Sequence, residues 1–178
     1  ACFLMAGGTL LPGREDNNLL KDKLSQIDAL FTIFRKYRRI WRRQIAYIQM
    51  ISSSEAGALH AEGPKTVRVD HGTATAEEGM MRELDNAGLV RNLNIEHDAI
   101  SFDFPDETIR FWLRDIGSVL ELQVYRACLE AGCFDDVVLS AVVNWEGGMT
   151  QRNAVTNEID VMAIQGITPL FISCKTSE

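Results

Sequence analysis

From Leu20 onward, positions 20, 24, 27, 31, 34, 38, 41, 45 and 48 read Leu, Leu, Ile, Phe, Phe, Arg, Trp, Ile and Ile, with gaps that alternate four and three. This spacing keeps one stripe of an α-helix apolar and is the seam of a long amphipathic helix that packs on another helix. Only Arg38 interrupts the stripe. Such a helix would run roughly 45 Å at 1.5 Å per residue. It is too long to bury itself within its own segment, so the spacing predicts a cover from a second subunit or chain, with a homodimer as the expected assembly. The alternative is a core helix of a domain whose N-terminal part lies outside the chain, and Ala1 in place of Met agrees with a fragment.

The rest of the composition is that of a globular protein: 178 residues, 46% apolar and 24% charged, which excludes disorder, collagen and mucin-like stalks. No run of apolar residues reaches the length of a membrane span, and the first residues lack the basic leader of a signal peptide. The expectation is a soluble, cytoplasmic protein with no membrane partner. Cys2, Cys128, Cys133 and Cys174 show no CxxC spacing, and His60, His71 and His97 are far apart, so neither a disulfide framework nor a zinc module is expected. The net charge of −7 hides a division, because residues 1–60 carry nine Lys and Arg against five acids and residues 61–178 carry nine against twenty. The two parts are expected to meet different partners.

Residues 55–76 mix Gly57, Gly63, Pro64 and Gly72 with a brief strand signal over 66–69 and read as a linker. Residues 77–87 have helical spacing that stops at Gly88, after which Leu93 and Ile95, then Ile100, Phe102 and Phe104, alternate around His97-Asp98 as a hairpin. Helix then hairpin resembles half a winged helix, yet the stretch is acidic, so a structural or dimerising connector is expected rather than a DNA reader. Pro105-Asp106 opens a helix over 107–116. Ser118-Val119-Leu120-Glu121 is a capping box that opens another through Leu129, with Gly132 as its stop. Strand signals follow at 137–145, 158–164 and 170–174. Gly7-Gly8 fits no phosphate-loop pattern and reads as an ordinary loop.

Chemistry concentrates in the last part. Alternation along Asn157-Glu158-Ile159-Asp160-Val161 puts Glu158 and Asp160 on one face and Ile159 and Val161 on the other. A short turn at 165–168 lets the next strand pair back, so that Lys175 approaches Asp160, while a preceding helix carries Glu121. Two or three carboxylates with one ammonium are what divalent-metal hydrolysis of phosphodiesters uses: the carboxylates hold Mg²⁺ or Mn²⁺ and the lysine orients the nucleophile or stabilises developing charge. Glu121 also suits a capping acid, Glu158 and Asp160 suit edge-strand charges, and Lys175 suits a solvated strand end.

The order Gly117-Ser118-Val119-Leu120-Glu121, then Asn157-Glu158-Ile159-Asp160-Val161, then Leu170-Phe171-Ile172-Ser173-Cys174-Lys175-Thr176 resembles the PD-(D/E)xK nuclease core. In particular it is similar to the CARF-domain ancillary nucleases of type III CRISPR systems. The resemblance, which takes in residues 20–178, implies a prokaryotic antiviral nuclease that cuts DNA or RNA, acts as a homodimer and is activated by a cyclic oligoadenylate through a sensor domain not seen here. It implies an α+β or α/β fold in three segments: a long dimerising helix within 1–54, a winged-helix-like connector over 55–116, and a partial nuclease core of one helix and three strands over 117–178. Asp160 would be the metal-binding aspartate, Lys175 the catalytic lysine and Glu121 the helix-borne acid.

Ser173 stands where the family pattern often has Glu two residues before the lysine, which removes one ligand and one negative charge. Glu158 and the backbone carbonyl of Cys174 are the candidates to compensate. The polypeptide looks truncated at both ends, without a sensor sheet before it or a closing helix after Lys175. Two other readings compete: a non-catalytic dimeric scaffold or nucleotide-binding regulatory remnant, and a phosphate-binding face formed by Arg38 and Arg42 within the basic run from Arg35 to Arg43, which helical spacing would spread along one side.

Overall fold

The computed structural model describes residues 9–11, 20–70, 72–144 and 156–175. The Gly7-Gly8 loop, Trp145 at the end of an expected strand, and Thr176 lie outside the described residues. The fold is α+β: β1 (Thr9–Leu11), α1 (Leu24–Tyr37), α2 (Trp41–Ile51), β2 (His60–Pro64), β3 (Thr66–Val69), β4 (Gly72–Thr75), α3 (Glu78–Asn86), β5 (Arg91–Ile95), β6 (Ala99–Asp103), α4 (Glu107–Trp112), α5 (Ser118–Ala131), β7 (Asp136–Asn144), β8 (Thr156–Gln165) and β9 (Thr168–Ile172). Every strand pairing is antiparallel, in sheets ordered β1-β7-β8-β9, β2-β6-β5 and β3-β4. Packing divides the chain into two compact units, Ser25–Val119 and Ala1–Leu24 with Leu120–Glu178. The helices expected in segment 1–54 therefore share a unit with the 55–116 segment. No helix among the described residues is long and apolar enough to cross a membrane.

The long helix expected from the seam is two helices. It breaks over residues 38–40, where the Ile40 amide donates to the Tyr37 carbonyl at 2.9 Å. A continuous seam would have placed the Arg38 guanidinium on the buried stripe, at a desolvation cost that the turn avoids. The break also lets Trp41 bury itself with its ring edge-on to Phe34, 5.4 Å between centroids.

Nor does α2 need a second chain to cover it. Its buried face, Trp41, Gln44, Ile45, Tyr47, Ile48 and Ile51, lies against β2, β3 and β4 of the same unit. Gln44 Nε2 donates to the Thr75 carbonyl at 2.8 Å, Gln44 Oε1 accepts from the Glu77 amide at 2.9 Å, and the Tyr47 hydroxyl donates to the Pro64 carbonyl at 3.0 Å. Burial pushes the Tyr47 phenol up to about 12.

The stretch read as a linker is thus folded, and its small residues have a packing reason. Ala61 and Ala74 are buried, and a Cβ at Gly63 would stand 2.5 Å from Ile51 Cγ2. The expected helix and hairpin around Gly88 are present as α3, β5 and β6, with Gly88 at φ 67° terminating α3.

Candidate functional site: the end of the β8–β9 hairpin

The two-residue turn of this hairpin has Gly166 at φ 58°, as a type II′ turn requires at its first central position. Asp135 Oδ2 accepts the Gly166 amide at 2.6 Å and fixes that turn. Pairing from Gln165 and Thr168 down to Val161 and Ile172 then carries residues 173–175 past the end of β9 and alongside Asp160.

There three consecutive residues converge on one oxygen. Asp160 Oδ2 accepts from the Cys174 amide at 2.6 Å and from the Ser173 hydroxyl at 3.2 Å, with Lys175 Nζ at 3.8 Å. The Asp160 side chain is 19% exposed and that of Lys175 is 81% exposed. The carboxylate is therefore half sheltered and the ammonium faces water. Ser173 acts as a donor to Asp160, where the acid of the family pattern would repel it. Cys174 meets Asp160 through its amide, which leaves its carbonyl as the ligand oxygen expected from the sequence.

Glu121 lies on the first turn of α5. The capping box expected there is not formed as drawn, because the Ser118 amide and hydroxyl both donate to Asp115 Oδ2, at 2.7 and 2.9 Å. The amide that a capping Glu121 would take is thus held by Asp115. Glu121 bears instead on the hairpin end. Burial pushes the Cys174 thiol above the usual cysteine range, and the charges of Asp160 and Glu121 push it further while Lys175 opposes them. The charges of Asp160, Glu121 and Lys175 are thus all felt at the Cys174 thiol.

Glu158 is exposed and stands opposite Val142 on β7. The strict alternation that would set it beside Asp160 is broken here, because Ile159 packs with Met162 and Ile164 against Val138 and Ala141, mixing odd and even positions. The irregularity has a visible source. Ser140, 3% exposed, lies where the β7–β8 register steps from Leu139 opposite Val161 to Ala141 opposite Ile159, and it holds φ at 51° in the middle of β7. A left-handed residue within a strand is strained for any side chain other than glycine. A single Ser inside the apolar run 137–143 was the available sequence signal.

Arg38 and Arg42 lie in the other unit. Arg38 is on the α1–α2 turn and lines a depression of about 420 Å³ with Lys36, Tyr37, Arg39 and Ile40, whereas Arg42 is exposed on the first turn of α2.

The hard oxygens at the hairpin end suit Mg²⁺ or Mn²⁺ rather than a soft metal. Among the described residues no group of three or more His, Cys, Asp and Glu is gathered to hold an ion. The donors therefore fit a cation held by one or two carboxylates and completed by water and a substrate phosphate, as Mg²⁺ is, and do not fit an all-protein cage.

No family model matches the sequence, and no curated protein matches it significantly. Solved structures of similar fold include the following two. Protein VC1899 from Vibrio cholerae aligns with 99% of this chain and 43% of its own at a TM-score of 0.59 and 15% identity. Can2 from Sulfobacillus thermosulfidooxidans, in complex with cyclic tetra-adenylate, aligns with 98% of this chain and 39% of its own at a TM-score of 0.51 and 15% identity. At that identity the likeness is one of fold, and the chain spans less than half the length of either structure.

Proposed function

We propose that the chain is the nuclease-bearing part of a CRISPR-associated ancillary protein, hydrolysing DNA or RNA phosphodiesters at the end of the β8–β9 hairpin with Mg²⁺ or Mn²⁺. The convergence of Ser173, Cys174 and Lys175 on Asp160, with Glu121 bearing on the same thiol, carries this reading. The fold shared with part of Can2, solved in complex with cyclic tetra-adenylate, supports a role tied to a cyclic oligoadenylate.

In this scheme Asp160 and Glu121 would hold the cation, with Glu158 and the Cys174 carbonyl as further candidate oxygens from the same hairpin. A bound cation would neutralise the scissile phosphate and lower the pKa of a water. The chain's own groups do the rest. The Cys174 amide and the Ser173 hydroxyl fix the Asp160 carboxylate in orientation, and Lys175, exposed and 3.8 Å from it, is placed to meet an incoming phosphate or attacking water. The resemblance also implies a homodimer. Of the seam of residues 20–48, Leu20, Ile27, Trp41, Ile45 and Ile48 are buried within the chain, whereas Leu24, Phe31 and Phe34 keep partly exposed faces that a second copy would cover.

A second reading, a non-catalytic scaffold, is favoured by one observation: Ser173 and Cys174 already occupy Asp160 Oδ2, and Ser173 brings no charge. Cleavage of a labelled oligonucleotide in Mn²⁺ separates the two. The nuclease reading expects a cut that Asp160→Ala and Lys175→Ala each abolish. Cleavage unchanged in both variants would leave the scaffold.

A further inference from the structure

The break between α1 and α2 changes what the basic run can do. On one continuous helix its arginines would be spread along a solvated side. At the corner, Lys36, Arg38 and Arg39 surround a depression of about 420 Å³ with the half-buried Tyr37 in its wall. Residues 29–54 contain six cations and no acid.

Part of this charge has a local explanation. Arg35 and Lys36 occupy the last turn of α1, where cations complement the helix dipole. Lys36 pairs with Glu83, whose same oxygen accepts the Tyr37 hydroxyl at 3.0 Å. Three of the remaining charges have no such account. Arg38, Arg39 and Arg43 make no ion pair among the described residues. Arg42 and Arg43 sit in the first turn of α2, where the positive end of the dipole disfavours cations and the helix has no acid.

We infer that this corner is a docking site for the phosphodiester backbone of a single-stranded nucleic acid, separate from the Asp160 site. Arginine forks match phosphate oxygens in pairs, and with the Lys36 ammonium already over the Tyr37 ring, 5.2 Å from its centroid, the contact expected is to the backbone rather than to a stacked base. The concave shape suits a strand better than the flat surface of an anionic membrane. The inference goes beyond the proposed hydrolysis and does not depend on it, because binding here needs neither metal nor carboxylate.

The test is fluorescence anisotropy of the full chain with a labelled single-stranded oligonucleotide in the presence of a chelator, over a series of salt concentrations. Each phosphate-bound cation contributes about 0.7 to the slope of log K against log salt for a single strand. Replacing Arg38 and Arg39 together by Ala should weaken binding tenfold or more and make the slope shallower by about 1.4. Replacing both by Lys should keep the slope and lose less affinity, a split that a purely structural role would not produce. Should the Ala pair disturb the turn, as far-UV circular dichroism would show, Arg43→Glu within the intact α2 gives the same readout. Arg68→Ala, an exposed cation on β3 that does not line the depression, should bind as the parent does, and because the assay excludes metal and reads no cleavage, failure here and failure of the hydrolytic reading are distinguishable. Unchanged affinity and slope in the Arg variants would overturn the inference. So would displacement of the strand by inorganic phosphate at matched ionic strength, or binding to anionic phospholipid vesicles but not to the oligonucleotide.

Discussion

Gln44 and Asp160 are polar side chains set among apolar strands, and they are held in opposite ways. Gln44 is 3% exposed and spends both ends of its amide on backbone groups, the Thr75 carbonyl and the Glu77 amide, which lie at the end of β4 and before α3. Asp160 remains partly open and takes three neighbouring groups on one oxygen. A buried polar group that saturates its partners holds a fold together, whereas a half-sheltered charge with capacity left over is placed to act on something that arrives.

The contrast has energetic consequences that can be ranked. Gln44→Leu keeps the volume but strands the part-buried Thr75 carbonyl and Glu77 amide, and should lower stability by about 3 kcal/mol in urea unfolding. A loss of only a few tenths would mean that water replaces the amide and the α2 contact is looser than described. Gly63→Val drives a side chain into Ile51 and should lower stability by about 2 kcal/mol. No loss would show that β2 can move away from α2. Asp160→Ala should change stability by about 1 kcal/mol or less, because its donors lie near water. A loss as large as that of Gln44→Leu would recast Asp160 as structural.

A smaller effect is expected at the His60–Asp103 pair, 2.7 Å apart on the surface of the β2-β6-β5 sheet. Asp103 chiefly, and Glu62 beside it, hold the His60 imidazole protonated above its usual value, while Asn92 and then His60 hold the Asp103 carboxyl below its own. The raised His60 value gives stability that is whole below the ordinary histidine value of 6.5 and is lost as pH rises through the folded one. At this exposed site the change should be about 0.5 kcal/mol or less. His60→Gln should flatten that part of the pH profile, and a profile unchanged by the substitution would assign the slope to other groups.

How far the sequence could be read follows the same division between local and non-local causes. The β8–β9 hairpin, the stop at Gly88, and the approach of Lys175 to Asp160 are local matters of alternation and turn chemistry, and they stand as expected. The break at residues 38–40 was marked only by Arg38 on the stripe, since four-three spacing scores a helix without asking whether its cover lies in the same chain. Residues 55–76 read as a linker because the small residues that let β2 approach α2 are also those of loops. Asp115 displaced the expected capping box because it lies three residues before Ser118, in competition with Glu121. The positive φ of Ser140 belongs to the pairing of β7 with β8 and has no local signature beyond one hydroxyl in an apolar run.

The central claim is that the end of the β8–β9 hairpin is a cation-binding site organised by Asp160. Calorimetric titration of the chain with Mn²⁺ tests it most directly. The account predicts weak binding that Asp160→Ala abolishes, that Lys175→Ala leaves in place, and that Ser173→Glu strengthens by restoring a charged oxygen beside Asp160. Equal Mn²⁺ binding by the parent chain and Asp160→Ala, with no gain from Ser173→Glu, would contradict it.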